Sequence, residues 1–356
     1  MQKRFLSVAA SAVLLGAAGV APAAAQAERP GGHPAGAHAG HADHADHRTD
    51  HGGHAAGHAL PQDPGPVGPL DHHAADAPHP APLTAAASGP TAVYTARLLG
   101  ANEVPVPGGP AVDDPDGRAT ALITVRGDRI TFTLRWKGLV PSLGHIHQGA
   151  AGQNGPLKVS LFGSAMPDSV DAAAGRVAVT DAALAERIRT DPAGYYVNLH
   201  SAEFPGGAVR GQLRPLKGDS EDANPLDVIR GGKLRAFSDG AQEVPKDDAS
   251  KVGDPDGHAV TFLNPKGTTV GYSMAWLNIQ SPSLGHIHQG AYGKNGAVVL
   301  NLFNRPVPDG VFAVSGALTG QPRDAVKRVR TEPEDHYSNI HTPEFPDGAV
   351  RGQLFD

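Results

Sequence analysis

The chain repeats itself, and that repeat restricts its possible folds more than any other feature. GHIHQGAAGQNG, from Gly144 to Gly155, returns almost unchanged as GHIHQGAYGKNG, from Gly285 to Gly296. The correspondence extends outward. Glu103-Val104-Pro105 matches Glu243-Val244-Pro245, Asp114-Pro115-Asp116-Gly117 matches Asp254-Pro255-Asp256-Gly257, and Trp136 matches Trp276. The register then slips by one residue, where WKGLVPSLGHIH becomes WLNIQSPSLGHIH. Similarity at one long period marks tandem copies of a single folding unit.

Within each copy the pattern is that of short strands. In the first, alternating runs are read at Ala92–Leu98, Ala119–Val125, Ile130–Trp136, Gly144–His147, Leu157–Phe162, Arg176–Val179, Tyr195–His200 and Ala208–Leu213. Turn clusters such as Asp114-Pro115-Asp116-Gly117 and Arg126-Gly127-Asp128 separate them. Short strands at regular spacing predict an antiparallel sandwich or barrel. One helix is predicted in each copy, over Asp181–Arg189 and between Pro322 and Arg330, with Pro322 suited to a first turn. The expected fold is therefore all-β: two tandem antiparallel β-sandwich or barrel-like domains, each with one short helix. Their expected bounds are 91–214 and 234–356, with a polar linker, 215–233, between them.

Strand alternation makes the repeated motif chemically pointed. Residues two apart on a strand share a face, so His145 and His147 point together with Ile146 opposite. In YYVNLHS, Tyr196, Asn198 and His200 share one face, and in AVRGQL so do Arg210 and Gln212. If these strands adjoin, one polar face gathers His145, His147 and His200, and its copy gathers His286, His288 and His341. Three imidazoles on a rigid sheet suit copper or zinc with one coordination position left open. The competing reading makes the histidines structural, their ring nitrogens bracing the glycine-rich loop Gly149–Gly155. Arg210 and Arg351 are expected to form ion pairs, with Glu203 or Glu103 and with Glu344 or Glu243. The glycine loop is no phosphate loop, because no G-K-[ST] follows. D-P-D-G is read as a plain turn.

The order E-V-P, GHIHQGAAGQNGP, YYVNLHS, PGGAVRGQL resembles the chordin-type (CHRD) domain, and GHIHQGAYGKNG, HYSNIHT, PDGAVRGQL resembles a second copy. The likeness spans about Ala92 to Asp356. Departures are Ser338, where Val is usual in Y-V-N, and Asp347 in place of a Gly. The resemblance implies a β-sandwich-like domain. The HIH segment is also similar to a piece of copper-zinc superoxide dismutase, but the residues offer no further histidine set for paired copper and zinc sites.

The rest of the chain bears on where such a protein works. Lys3 and Arg4 precede an apolar run, Phe5 to Ala21, followed by the small residues of APAAAQA, so 1–25 reads as a signal peptide. The run is short for a membrane span, which needs about 20 apolar residues, and no later segment is long and apolar enough. Residues 26–90 form a low-complexity segment holding eleven of the 19 histidines, from His33 to His79. With almost no large apolar side chains it is expected to be disordered, and its composition is that of a metal-binding tract. The chain has no cysteine, so neither disulfides nor lipid attachment through cysteine are available to it. A formal net charge of −6 gives no electrostatic reason to expect nucleic acid as a partner.

Together these features predict a secreted or periplasmic protein that binds transition-metal ions, copper or zinc, through a His-rich arm and one three-His site per domain. The rival is an extracellular adhesion or scaffold module binding protein or glycan. A superoxide dismutase-like copper enzyme is the lesser alternative, and no catalytic residue is assigned.

Overall fold

The computed structural model describes residues 89–179, 181–217 and 224–356. The signal peptide and the His-rich segment up to residue 88 lie outside the described residues. The first copy contains β1 (Thr91–Leu99), β2 (Arg118–Arg126), β3 (Arg129–Lys137), β4 (Leu143–Gln148), β5 (Leu157–Phe162), β6 (Val170–Ala178), helix α1 (Ala182–Thr190), β7 (Tyr195–His200), β8 (Val209–Gln212) and β9 (Arg214–Pro215). The second contains β10 (Leu234–Asp239), β11 (His258–Lys266), β12 (Thr269–Leu277), β13 (Leu284–Gln289), β14 (Val298–Phe303), β15 (Val311–Leu318), α2 (Arg323–Thr331), β16 (His336–His341) and β17 (Val350–Gln353).

Among the described residues two isolated bridges, Val112 with Gly207 and Val252 with Gly348, are parallel, whereas the named strands all pair antiparallel. In the first copy they run β5–β4–β7–β8–β1–β2–β3–β6, and the second repeats this order from β14 to β15. Each sheet folds over so that its two halves face one another. Leu98, Ile123, Ile130 and Leu134 come from one half; Ile146, Leu161, Val197 and Leu199 come from the other; all eight are fully buried. Phe132 of β3 meets Phe162 of β5 across this core, ring centroids 6.3 Å apart. Burial alternates along β2 as period 2 requires, and along β3 except at Thr133, which is buried under the Pro225–Val228 turn. Helix α1 begins where the Asp181 side chain accepts from the Ala183 N–H, an N-cap interaction, and it packs Leu184 and Ile188 inward. Ser338, the departure from Val197, is fully buried too; its hydroxyl lies 2.9 Å from that of Thr261, which stands where the first copy has Ala121. Two polar substitutions thus satisfy each other inside the second core.

The copies are joined into one sheet. β6 pairs with β15, from Val311 opposite Gly175 to Gly316 opposite Val170. A Cβ on Gly316 would lie 1.9 Å from the carbonyl oxygen of Ser169, so only glycine permits this approach. The Ser169 hydroxyl lies 2.9 Å from that of Tyr272, and Arg230 donates to Asp171 at 2.7 and 3.0 Å. Over the seam, Val228 is fully buried against Ala172, Ala174 and Ala313. This explains why the sequence shows a strand only at Arg176–Val179, whereas β6 runs from Val170 to Ala178. Ala172, Ala173 and Ala174 are all fully buried, the middle one against its own core and its neighbours at the seam, and a run apolar on both faces shows no alternation.

The stretch read as a polar linker is docked through one short turn, in which Val228 alone is buried. The Asn224 side chain caps a short 3-10 turn, Pro225–Val228, and Thr133 and Arg135 donate to the carbonyls of Pro225 and Asp227. Val228→Ala is expected to lower stability by about 2 kcal/mol and to open 224–233 to proteolysis, measured by denaturant midpoint and timed digestion. Fast cleavage there in the unsubstituted protein would count against the docked turn.

Candidate metal centres

Strand pairing brings the histidines together. β4 and β7 are neighbours, with Leu143 opposite His200, His145 opposite Asn198 and His147 opposite Tyr196. His200 therefore lies diagonally across from His145. The ligand atoms of His145, His147 and His200 all fall within 4.8 Å of one another, as do those of His286, His288 and His341. All six predicted positions are thus gathered, three to a set.

Two rings of each set are held by a backbone carbonyl. His147 Nδ1 lies 3.0 Å from the Gly155 carbonyl oxygen, and His200 Nδ1 lies 2.9 Å from that of Pro205. A carbonyl only accepts, so both Nδ1 atoms carry the proton, and both Nε2 atoms keep their lone pairs. His200 Nε2 sits 3.2 Å from His145 Nδ1, while His147 Nε2 is buried with no hydrogen-bond partner. The second set repeats this: His288 Nδ1 to the Gly296 carbonyl at 2.9 Å, His341 Nδ1 to that of Pro346 at 3.0 Å, His286 Nδ1 to His341 Nε2 at 3.2 Å, and a buried, unpartnered His288 Nε2. Metal-binding histidines characteristically give their other N–H to such an acceptor, which fixes tautomer and orientation. Zn–N bonds of about 2.0–2.1 Å in a tetrahedron put neighbouring nitrogens about 3.3 Å apart. The 3.2 Å pairs already have that spacing.

The bracing of the glycine loop by His147 is the structural role weighed against metal, and it is present. It leaves Nε2 unused, so the two roles share one ring without competing. Burial, reinforced by His200 and His147, pushes the His145 imidazole down to about 3. Burial likewise pushes His147 and His286 down to about 4, and lowers His288 and His341. These five rings are neutral at pH 7, the form a metal requires.

The arginines correct the sequence reading. Neither Arg210 nor Arg351 forms an ion pair among the described residues. Arg210, 2% exposed, donates to Asn154 Oδ1 at 2.8 Å and to the Gln153 carbonyl, and lies 3.8 Å over the Tyr196 ring. Tyr196 in turn stacks on His147, centroids 5.2 Å apart and planes 9° apart. Arg351, Tyr337 and His288 form the same column. The guanidinium charge is thereby spread over the loop carbonyl, an amide and an aromatic face. Sequence reasoning put Tyr196 on one face with Asn198 and His200 but gave it no role, and it passed over Asn154.

Glu103 and Glu243 are not counter-ions either. Burial pushes their carboxyls up to about 8 and about 7, against the lowering pull of Arg210 and Arg351. Glu103 Oε1 and Asn198 Oδ1 are both buried acceptors without a donor, as are Glu243 Oε1 and Asn339 Oδ1.

The two kinds of group act oppositely on stability. The imidazoles have lowered folded values, so below about 6.5 the unfolded state binds protons that the folded state refuses, and stability falls on acidification. The carboxyls have raised values, so their contribution is full below about 4.5 and is lost as pH rises through 7 to 8. Between 4.5 and 6.5 the five imidazoles outnumber the two carboxyls, so the metal-free protein should lose stability with falling pH. Glu103→Gln with Glu243→Gln should remove the decline that the parent shows from about 6.5 to about 8, where the carboxyls no longer have imidazoles opposing them. Melting curves from pH 5 to 9 measure both, and a carboxyl pair that titrates normally would leave the upper limb flat in the parent.

The fold and site define an all-β protein of two fused modules, each carrying a three-histidine set on its polar face. A family model for the CHRD domain matches residues 94–213 and again 234–354, and the chain belongs to the CHRD domain family. Comparison with curated proteins gives no match. Among the described residues no helix is long and apolar enough to cross a membrane.

Proposed function

We propose that the protein binds transition-metal ions outside the cytoplasm, one copper or zinc ion in each three-His set. The observation that carries this is the duplicated donor arrangement: two Nδ1–H groups per set committed to backbone carbonyls, and a buried Nε2 with no partner. A buried, unsatisfied nitrogen costs stability, and a cation among three neutral imidazoles recovers it. The His-rich segment serves as a low-affinity collector, because ordering a chain on binding costs entropy that a preformed sheet has already met. The signal sequence directs the protein out of the cell or into the periplasm.

Calorimetric titration with Zn²⁺ and Cu²⁺ of a form starting at Gly89 tests the two sets apart from the segment. The expected result is saturable binding of two ions, tighter than the extra binding seen with the full chain. Absence of saturable binding in the shortened form leaves the histidines purely structural. A second reading, recognition of protein or glycan, is favoured by Phe237, Leu277 and Tyr292, which are 60%, 62% and 71% exposed on the second module.

A further inference from the structure

The two modules share their cores and histidine sets but differ on one outer face. In the first, a cavity of about 630 Å³ opens beside β1, β8 and β9 under the Gly149–Gly155 loop. Thr95, Arg97 and Leu99 alternate onto this face of β1, and Arg210, Gln212 and Arg214 onto that of β8 and β9. Leu99 lies opposite Arg210 and Thr95 opposite Arg214. Arg97 is therefore diagonal to both arginines, at Cβ separations of about 7–8 Å.

Arg97 and Arg214 are exposed and form no ion pair among the described residues. Arg210 adds a third positive charge from beneath. Its own Nη groups are spent on Asn154 and Gln153, so it contributes field rather than contacts. Glu103, the one acidic side chain on the cavity wall, is held neutral at pH 7 by burial. Three like charges thus face one concave space with no anion among them. The second module shows that folding does not require this. Phe237 and Phe355 stand where Arg97 and Arg214 do, packed 5.6 Å apart.

We propose that this cavity binds a small multivalent oxyanion, carrying two or more carboxylate or phosphate groups, with Arg97 and Arg214 as its fork-shaped partners. A guanidinium matches either group bidentately, and the diagonal spacing suits two groups on one molecule better than a single monoanion. The inference is independent of metal binding, since none of the six histidines lines the cavity.

The test is titration of the full-length, metal-free protein with pyrophosphate and, separately, citrate, at low ionic strength and pH 7.5. Saturable one-to-one binding of at least one anion is expected, and the better of the two identifies the group. Arg97→Phe with Arg214→Phe installs the second module's residues and should weaken binding by about a hundredfold or more; Arg97→Gln with Arg214→Gln should do the same. Arg323→Ala, on the second module, should leave it unchanged. No saturable binding of either anion, or equal weakening by Arg323→Ala, would overturn the proposal.

Discussion

Replacing His147 with Ala is expected to lower the number of ions bound by the form starting at Gly89 from two to one, and adding His288→Ala to abolish binding. The two sets share no residue, so each should report its own loss. The thermal consequence is large. A ligand at 100 times its dissociation constant stabilises by about 2.7 kcal/mol, and two sites on one cooperative unit give about twice that. For a domain of this size the melting temperature should rise by about 10 °C on saturation. The single variant should keep about half of that rise and the double variant none. The metal-free melting temperature is the control, because both substitutions also remove the ring that braces a loop. A metal-induced rise that survives in the double variant would place the ions elsewhere.

The other large effect is expected at Gly155. A Cβ there would lie 1.6 Å from the Gln148 carbonyl oxygen, and at Gly296 the corresponding distance to Gln289 is 1.5 Å. The obstructing atom is backbone, so no rotamer change relieves the contact. Gly155→Ala must therefore push the loop off the end of β4. That strains three contacts at once: the His147 bond to the Gly155 carbonyl, the Gly155 N–H bond to the Tyr196 hydroxyl, and the Gln148 N–H bond to the Pro156 carbonyl. The expected cost is more than about 3 kcal/mol, in the range of strained or overpacked buried positions. Metal binding should be lost in the first module and kept in the second. Gly152→Ala is the matched control. Gly152 has φ +79° and nothing within 4 Å of an added Cβ, so its cost is only that of a left-handed non-glycine residue, about 1–2 kcal/mol. Equal, small losses at both positions would show that the loop yields easily, and the bracing of His147 would then have little bearing on the site.

Both expectations rest on one mechanical relation. The loop and the candidate ligand share a ring, so loop geometry and metal affinity are coupled through His147 in the first module and through His288 in the second. The β6–β15 pairing ties the modules into one sheet, which is why the stabilisation from two ions is expected to appear in a single transition.

What the sequence determined by itself was local and periodic. The repeat gave two copies, and period 2 gave the strands and put His145 with His147, Asn198 with His200, and Arg210 with Gln212. Leu157–Phe162 and Tyr195–His200 were legible to the residue, because alternation and flanking turns act within a few positions. Tertiary structure decided everything that depends on which strand lies beside which. It placed β7 against β4, and so turned His200 from a third histidine somewhere in the chain into one diagonal to His145. It also gave Arg210 a loop carbonyl, an amide and an aromatic ring in place of the expected carboxylate. The reason is that the acceptors on Asn154 and Gln153 lie more than fifty residues away along the chain and reach Arg210 only in the packed domain. The seam was the least visible feature of all. Ala172, Ala174 and Val228 carry no charge, motif or alternation, and they meet Ala313 of the other copy, so only the folded chain shows that they join the two copies.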